Sequence, residues 1–126
     1  MADPKKILVV DDEPDMVAWL TTFLEDHGYS TNSAADGVEA FEKAQSEQPD
    51  LITLDITMDK ETGIKCYKRL VETDSTKDIP VIMVTGVSQD LGTFLGRRPG
   101  LKQPAGFFEK PVDKDGLLAK VRELIG

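Results

Sequence analysis

The amino-acid sequence predicts an α/β fold built on a doubly wound parallel sheet. Short apolar runs of strand length alternate with longer segments of helical periodicity along the chain. Strands that alternate with helices in this way pair in parallel, because the helices provide the crossover connections. Three of the apolar runs are continuous rather than alternating, which is typical of strands covered by helices on both faces. Together these observations predict a parallel sheet between two layers of helices.

The five predicted strands are residues 7–10, 29–34, 51–54, 81–84 and 106–108. The first, third and fourth consist of Val, Ile, Leu and Met with a single Thr. Residues 29–34 read Tyr-Ser-Thr-Asn-Ser-Ala, which is β-prone but polar. This strand is therefore predicted to lie at an edge of the sheet.

Helical periodicity predicts regular helices over residues 15–26, 36–47, 63–72 and 113–125. Each has an apolar stripe at helical spacing. The stripes are Met16, Trp19, Leu20, Phe23 and Leu24 in the first helix, Val38, Phe41 and Ala44 in the second, Ile64, Tyr67, Leu70 and Val71 in the third, and Leu117, Leu118, Val121 and Leu124 in the last. Gly28 is the predicted stop of the first helix, and Asp113 is the predicted N-cap of the last.

Residues 86–106 interrupt the alternation where a helix between the fourth and fifth strands would lie. Between its first and last residues, Gly86 and Gly106, lie five helix-disfavouring residues, namely Gly92, Gly96, Pro99, Gly100 and Pro104. Inside a helix, Gly costs about 1 kcal/mol relative to Ala and Pro about 3 kcal/mol. The sequence therefore predicts an irregular fourth helix, short and confined to residues 89–95, in the least stable part of the chain.

Length and composition limit the possible classes of protein. The 126 residues suit one domain over residues 1–126, and the net charge of −8 argues against a nucleic-acid groove. No apolar run approaches the roughly 18 residues of a membrane helix, and the first residues do not resemble a signal peptide. Cys66 is the single cysteine, so no intrachain disulfide can form and a reducing cytoplasm is expected. We expect Cys66 to be a half-buried residue on a helix.

Polar residues follow four of the predicted strands, and ligands of doubly wound sheets bind at the C-terminal ends of strands. These residues are Asp11-Asp12-Glu13 after the first strand, Asp55 after the third, Thr85 after the fourth and Lys110-Pro111 after the fifth. Clustered carboxylates repel one another without a cation, and their oxygens suit a hard ion such as Mg²⁺. A carboxylate can also attack phosphorus to form an aspartyl-phosphate. Each residue alone is an ordinary strand-end residue, but their shared placement predicts a phosphoryl-transfer site.

The motifs at these positions resemble the receiver domain of response regulators in two-component signalling, of the chemotaxis-receiver type. They are Ile-Leu-Val-Val-Asp-Asp-Glu-Pro, Leu-Ile-Thr-Leu-Asp, Val-Ile-Met-Val-Thr-Gly and Phe-Glu-Lys-Pro, and the resemblance extends over residues 6–125. It implies a flavodoxin-like strand order of 2-1-3-4-5. It also implies a signalling switch in the cytoplasm that catalyses only its own phosphorylation and slow dephosphorylation.

The resemblance further implies a role for each residue of the metal and phosphoryl site. Asp55 would be the phospho-acceptor, taking the phosphoryl group from a phosphohistidine of a sensor histidine kinase or a phosphotransfer protein. Asp12 would bind Mg²⁺ directly and Asp11 through water. Asp55 and the backbone carbonyl of Thr57 would complete the protein ligands. Lys110 would pair with the phosphoryl group.

A switch is implied as well. Thr85 would supply the hydroxyl that moves to the phosphoryl group, and Phe107 occupies the place of the rotating aromatic residue. The Lys110-Pro111 peptide bond would be cis. Phosphorylation would change the face formed by the fourth helix, fifth strand and fifth helix, and so control a downstream protein target, with no direct contact to nucleic acid or membrane.

The sequence departs from the family pattern at three places. Asp59 stands where the family usually has Pro, which makes the loop after Asp55 more charged. Phe107 lacks the usual Tyr hydroxyl, so a switch there would work by packing alone. The Gly- and Pro-rich residues 92–106 replace a regular fourth helix, which affects the usual output surface and leaves the site residues in place.

Three alternative functions remain open. A phosphatase of the haloacid-dehalogenase type would need a second Asp where Thr57 stands. A flavodoxin-like electron carrier would need a phosphate-binding loop after the first strand, where the acidic residues would repel the FMN phosphate. A degenerate receiver that serves only as an interaction module is the third. The chain could be a stand-alone receiver or a part of a longer regulator.

Overall fold

The structure, a computed structural model, describes residues 4–56, 63–86 and 104–126. Within these ranges the strands are β1 (Lys6–Val10), β2 (Ser30–Ala34), β3 (Leu51–Leu54), β4 (Val81–Thr85) and β5 (Gly106–Glu109). The helices are α1 (Pro14–Asp26), α2 (Gly37–Glu47), α3 (Gly63–Glu72) and α4 (Lys114–Ile125). None of the helices in these ranges is long and apolar enough to span a membrane. The predicted helix over residues 89–95 lies outside the described residues.

The described strands form one parallel sheet in the order β2-β1-β3-β4-β5, which confirms the predicted fold class. Strand β2 lies at an edge, as its polar sequence predicts. Each predicted strand and regular helix is confirmed, with its ends within one residue of the prediction.

Side chains from the sheet form a separate apolar core on each face. On one face, Leu8, Ile52 and Met83 pack with residues of α2 and α3. On the other face, Val9 and Ile82 pack with residues of α1 and α4. Because successive residues of a strand point to opposite faces, a central strand must be apolar at every position to serve both cores. The continuous apolar runs in the sequence follow from this geometry.

Gly28 and Asp113 lie at the helix ends predicted for them, and Asp36 provides a further cap. Gly28 follows α1 with φ +92°, a left-handed conformation that favours glycine, and its N–H donates to the Glu25 carbonyl at 3.0 Å. Asp36 precedes α2, and its side chain accepts a hydrogen bond from the Glu39 N–H at 2.9 Å. Asp113 occupies the N-cap position of α4, but its side chain makes no capping hydrogen bond to the described residues.

Two residues of the predicted apolar stripes are exposed, and the separate burial prediction for Cys66 is corrected. Val38 is 49% exposed, because the buried face of α2 consists of Gly37, Ala40 and Ala44. A residue two positions from Ala40 points away from the face that Ala40 occupies. Trp19 is 39% exposed at the margin of the α1 stripe, where its ring stacks on Phe23. Cys66 is fully buried between α3 and the sheet rather than half-buried.

Two threonines with equal burial differ in hydrogen bonding. Thr53 in β3 and Thr76 after α3 are each 1% exposed. The Thr76 hydroxyl donates to the Leu70 carbonyl at 2.6 Å. The Thr53 hydroxyl has no hydrogen-bond partner within the part of the chain that the structure describes. A buried hydroxyl without a partner has lost its hydration and gained nothing in return, so Thr53 lowers stability.

We expect Thr53→Val to raise the free energy of unfolding by about 1 kcal/mol, because Val keeps the branched shape and removes the unpaired hydroxyl. The matched variant Thr76→Val should lower it by about 1–2 kcal/mol, since it removes a made hydrogen bond and leaves the Leu70 carbonyl without it. Urea unfolding monitored by circular dichroism measures both. A loss of stability in Thr53→Val would indicate that its hydroxyl is satisfied in solution.

Candidate functional site

The parallel sheet brings the ends of β1, β3 and β5 to one edge. Asp11 directly follows β1, and its N–H donates to the Ala34 carbonyl of β2 at 3.1 Å. Asp55 directly follows β3, and its N–H donates to the Val10 carbonyl of β1 at 3.0 Å. These bonds extend the ladders by one residue beyond the strands. The backbone positions of both carboxylates are therefore set by the sheet itself rather than by a loop.

The Lys110 ammonium lies among three carboxylates. Its Nζ is 2.8 Å from Asp11 Oδ2, 3.0 Å from Glu13 Oε1 and 3.3 Å from Asp55 Oδ2. The side chains of Asp11 and Asp55 are 2% and 1% exposed, whereas that of Glu13 is 64% exposed. An ammonium has three N–H donors, so one can be directed at each carboxylate. Lys110 thus joins the ends of three strands.

Burial and charge act against each other at this cluster. Burial raises the pKa of Asp11, because leaving water disfavours the carboxylate, although hydrogen bonds from Lys110 and from the Glu13 N–H act in the opposite direction. Burial alone would lower the pKa of Lys110, but its hydrogen bonds to Asp11 and Glu13 and the negative charge of Asp55 leave that pKa raised. The ammonium therefore stays charged at neutral pH.

The carboxylates at this edge could hold a divalent cation. One oxygen from each of Asp11, Asp12, Glu13 and Asp55 lies within 4.8 Å of the others, and Asp12 and Glu13 are exposed while Asp11 and Asp55 are buried. Carboxylate oxygens at this spacing suit Mg²⁺, which is usually bound by one or two carboxylates together with water. The single Lys110 ammonium can offset only part of the charge that four carboxyl groups can carry. The donor set therefore fits a hard divalent cation.

Four predicted site residues, Asp11, Asp12, Asp55 and Lys110, lie together. The predicted role of Thr85 depends on its side chain, which is outside the described part of the chain; its backbone ends β4 and pairs with Glu109. Thr57 lies outside the described residues, as does Asp59.

Two further observations concern the predicted switch. Phe107 is partly buried and packs against the core on the side of α2 and α3. The Lys110-Pro111 peptide bond is cis, as the resemblance implies.

Glu13 was expected at this edge with the other strand-end residues, but the sequence suggested no individual role for it and no contact with Lys110. It belongs to the acidic run after β1, and its position next to Asp12 was the available signal. Its direction toward Lys110 depends on β5 and could not be inferred from β1 alone.

A doubly wound parallel sheet with a buried Asp, an adjacent acidic pair and a Lys at its C-terminal edge defines a receiver-type signalling domain. Residues 7–122 match the model of the response regulator receiver domain. The chain is 33% identical to the protein PilH of Pseudomonas aeruginosa, over 95% of this chain and 97% of PilH. It therefore belongs to the response regulator receiver domain family of two-component systems, whose members are signalling switches.

Two further proteins are similar to this chain, one in sequence and one in structure. The chain is 36% identical to the alkaline phosphatase synthesis transcriptional regulatory protein PhoP of Bacillus subtilis, over 96% of this chain but only 48% of PhoP. The chain thus spans about half the length of that relative. The chemotaxis protein CheY4 of Vibrio cholerae superposes with a TM-score of 0.84 at 30% identity, over 96% of this chain and 98% of that protein.

Gly63, the first residue of α3, packs against the backbone on the C-terminal side of β3. A Cβ atom at this position would lie 2.2 Å from the Ile56 Cα and 2.4 Å from the Asp55 carbonyl oxygen. Both distances are far below van der Waals contact, and both contacted atoms belong to the backbone, which cannot move aside as a side chain can. The close approach therefore requires glycine, and it ties the start of α3 to the residue that carries the buried carboxylate.

We expect Gly63→Ala to lower the free energy of unfolding by about 1–3 kcal/mol, because overpacking outweighs the gain of about 1 kcal/mol in helix propensity. Gly116→Ala is the matched variant, since it also lies in the first turn of a helix but its Cβ would meet the exposed Asp113 carboxylate at 2.9 Å, which can move aside. It should be neutral or stabilising. Chemical unfolding of both variants measures the difference, and equal stabilities would contradict the packing constraint.

In the absence of divalent cations at pH 7, Lys110→Ala should lower the free energy of unfolding by about 2–4 kcal/mol, because Asp11 and Asp55 lose the cation they share. The pKa of Lys110 is raised in the folded chain, so its stabilising contribution is present at neutral pH and is lost only as pH rises past the ordinary lysine value. The raised pKa of Asp11 means that acid neutralises this carboxylate early, so the deficit should shrink as pH falls.

Urea unfolding at several pH values measures this deficit. Lys77→Ala is the control, because Lys77 pairs with the exposed Asp74 at 3.4 Å and such pairs contribute little. A Lys110→Ala variant as stable as the control at pH 7 would show that water already compensates the buried carboxylates.

Proposed function

We propose that Asp55 accepts a phosphoryl group from a phosphohistidine of a sensor histidine kinase or phosphotransfer protein, in a Mg²⁺-dependent reaction. The observation that carries this proposal is the buried Asp55 carboxylate, 3.3 Å from the Lys110 ammonium and within 4.8 Å of the other carboxylates. A carboxylate held at the end of a rigid strand is a nucleophile in a defined position.

In the proposed reaction, an Asp55 oxygen forms a bond to phosphorus while the bond from phosphorus to the imidazole nitrogen breaks, and its electron pair stays with the imidazole. Phosphoryl transfer requires mainly positioning and neutralisation of the phosphoryl oxygens. Asp12 and Asp55 would hold Mg²⁺ directly, Asp11 through water, and Thr57 through its backbone carbonyl. The ion, when bound, supplies positive charge beside the transferred group. Lys110 would supply a second positive charge to the phosphoryl oxygens.

The proposed output is a change in the face formed by β5, by α4, which is the fifth helix of the family pattern, and by residues 86–106. A phosphoryl group adds about 1.5–2 negative charges, which attract hydrogen-bond donors. Thr85 would turn its hydroxyl to the phosphoryl group. Phe107, which lies on the neighbouring strand β5, would then change its packing against the core. A downstream protein would recognise the altered face, without direct contact to nucleic acid or membrane.

The proposed unit is one receiver domain over residues 1–126 that acts in the cytoplasm. The match of the family model to residues 7–122 supports this extent, and the single cysteine is consistent with a reducing compartment. The domain would catalyse only its own phosphorylation and slow dephosphorylation. The whole protein's output and partners depend on the pathway in which it acts.

We expect incubation with Mg²⁺ and acetyl phosphate to add one phosphoryl mass to the unchanged chain and none to Asp55→Asn. EDTA should abolish the addition. Asp50→Asn is the matched control: Asp50 lies at the opposite end of β3, where its carboxylate accepts the Lys6 N–H at 2.8 Å, and it should be labelled normally. Intact-protein mass spectrometry reads all four samples.

Two results would contradict the proposal. Labelling of Asp55→Asn would mean that another residue accepts the group. Failure to label the unchanged chain with either acetyl phosphate or a phosphorylated histidine protein would favour a degenerate receiver that binds partners without phosphorylation.

A further inference from the structure

Glu13 occupies a helix-capping position without capping the helix. It is the N-cap residue of α1, and its carbonyl accepts the Val17 N–H at 3.0 Å. Ser, Thr, Asp and Asn are preferred at this position, because their short side chains reach the free N–H groups of the first turn. The Glu13 side chain makes no such bond within the described ranges and instead extends to Lys110 Nζ at 3.0 Å. Glu13 therefore departs from the usual choice of N-cap residue, and its side chain contacts Lys110 instead of capping α1.

The three carboxylates around Lys110 are not equivalent. Asp11 and Asp55 are almost fully buried, and both belong to the proposed cation site. Glu13 is largely exposed and lies outside the proposed ligand set. Asp11 Oδ1 accepts a hydrogen bond from the Glu13 N–H at 3.0 Å, and Asp11 Oδ2 accepts one from Lys110 at 2.8 Å. Both oxygens of the Asp11 carboxylate are therefore engaged.

We infer that Glu13 is a positioning residue for Lys110. When the cation site is filled, the Glu13 carboxylate draws the Lys110 ammonium away from the carboxylates of Asp11 and Asp55. It also keeps the ammonium close enough to reach a phosphoryl group on Asp55. This inference rests on the proposed function. A divalent cation held by Asp12 and Asp55 repels the ammonium and replaces it as the partner of the buried carboxylates. Lys110 must then give up those contacts, and Glu13 is a carboxylate that it already touches. The ammonium needs no passage through bulk water to reach a phosphoryl group on Asp55.

The inference predicts competition at the site. Lys110 and the cation neutralise the same buried carboxylates, so Lys110 weakens cation binding. Glu13 reduces this competition by offering the ammonium another partner. Without the Glu13 carboxylate, Lys110 should stay on Asp11 and Asp55, and cation affinity should fall. Two other roles also predict a fall: Glu13 could be a direct ligand, or could act through its charge alone.

A double-mutant cycle separates these roles. Isothermal titration of Mg²⁺ into the metal-free chain, with no phosphodonor present, gives the affinity of the unchanged chain, Glu13→Gln, Lys110→Ala and the double variant. We expect Glu13→Gln to weaken binding about two- to fivefold, the range of a partly exposed ion pair. Lys110→Ala should bind Mg²⁺ more tightly than the unchanged chain. In the Lys110→Ala background, Glu13→Gln should have little further effect.

Two companion variants test charge and folding. Glu13→Asp keeps the charge but has a shorter side chain that is suited to capping α1. It should weaken Mg²⁺ binding as Glu13→Gln does, although a pure charge effect would leave the affinity unchanged. Asp15→Asn removes an exposed charge from the first turn of the same helix and should leave the affinity within about twofold, since exposed charges are strongly screened.

The outcomes are distinct. An undiminished effect of Glu13→Gln in the Lys110→Ala background would overturn the inference and favour a direct ligand or plain charge. Equal affinity of Glu13→Asp and the unchanged chain would also overturn it. Absence of Mg²⁺ binding to the unchanged chain would instead overturn the proposed function, and the role of Glu13 with it. Phosphorylation of Asp55 is measured separately, so success there with no coupling in the cycle would reject only the role of Glu13.

Discussion

The charge balance around Lys110 is the constraint on which this site depends. A single ammonium contacts carboxylates that lie 99, 97 and 55 residues away along the chain. Two of those carboxylates are almost completely buried, where an uncompensated charge would cost several kcal/mol. The ammonium stabilises the buried carboxylates at this edge of the sheet. It leaves enough negative charge there for the proposed divalent cation. Partial compensation of the charge by Lys110 suits the proposed cation site, which has to be stable both without and with the ion.

The rest of the fold keeps these charges in place. Central strands that are apolar at every position are packed on both faces, so the strand ends cannot shift without disturbing two cores. Hydrogen bonds from Asp11 and Asp55 continue the ladders past the strand ends. Gly63 brings α3 against the Asp55 carbonyl, so any movement of that backbone is felt by a helix. The buried Thr53 hydroxyl has no hydrogen-bond partner among the described residues, so the strand before Asp55 is not optimised for stability alone.

Sequence reasoning succeeded where a local pattern has one physical outcome. Continuous apolar runs predicted buried parallel strands, and the polar 29–34 segment predicted an edge. It failed where either of two faces of a helix could have been the buried one. On α2, Val38 was assigned to the buried face, but the small residues Ala40 and Ala44 allow the helix to lie close to the sheet and leave Val38 exposed. Asp113 is the N-cap residue of α4, as predicted, although its side chain makes no capping bond to the described residues.

The sequence by itself determined the fold class, the order of its elements along the chain and the residues that end the strands, because hydrophobic periodicity is a local pattern and the C-terminal ends of parallel strands meet at one edge. From the strand ends alone, Asp11, Asp12, Asp55 and Lys110 could be expected at one edge. Only the tertiary structure decided how the charges are shared among them, since Lys110 approaches from β5 and its contacts depend on distances across three strands. The same holds for Glu13, whose side chain turns from its own helix toward Lys110 because a charged partner is close enough to reach.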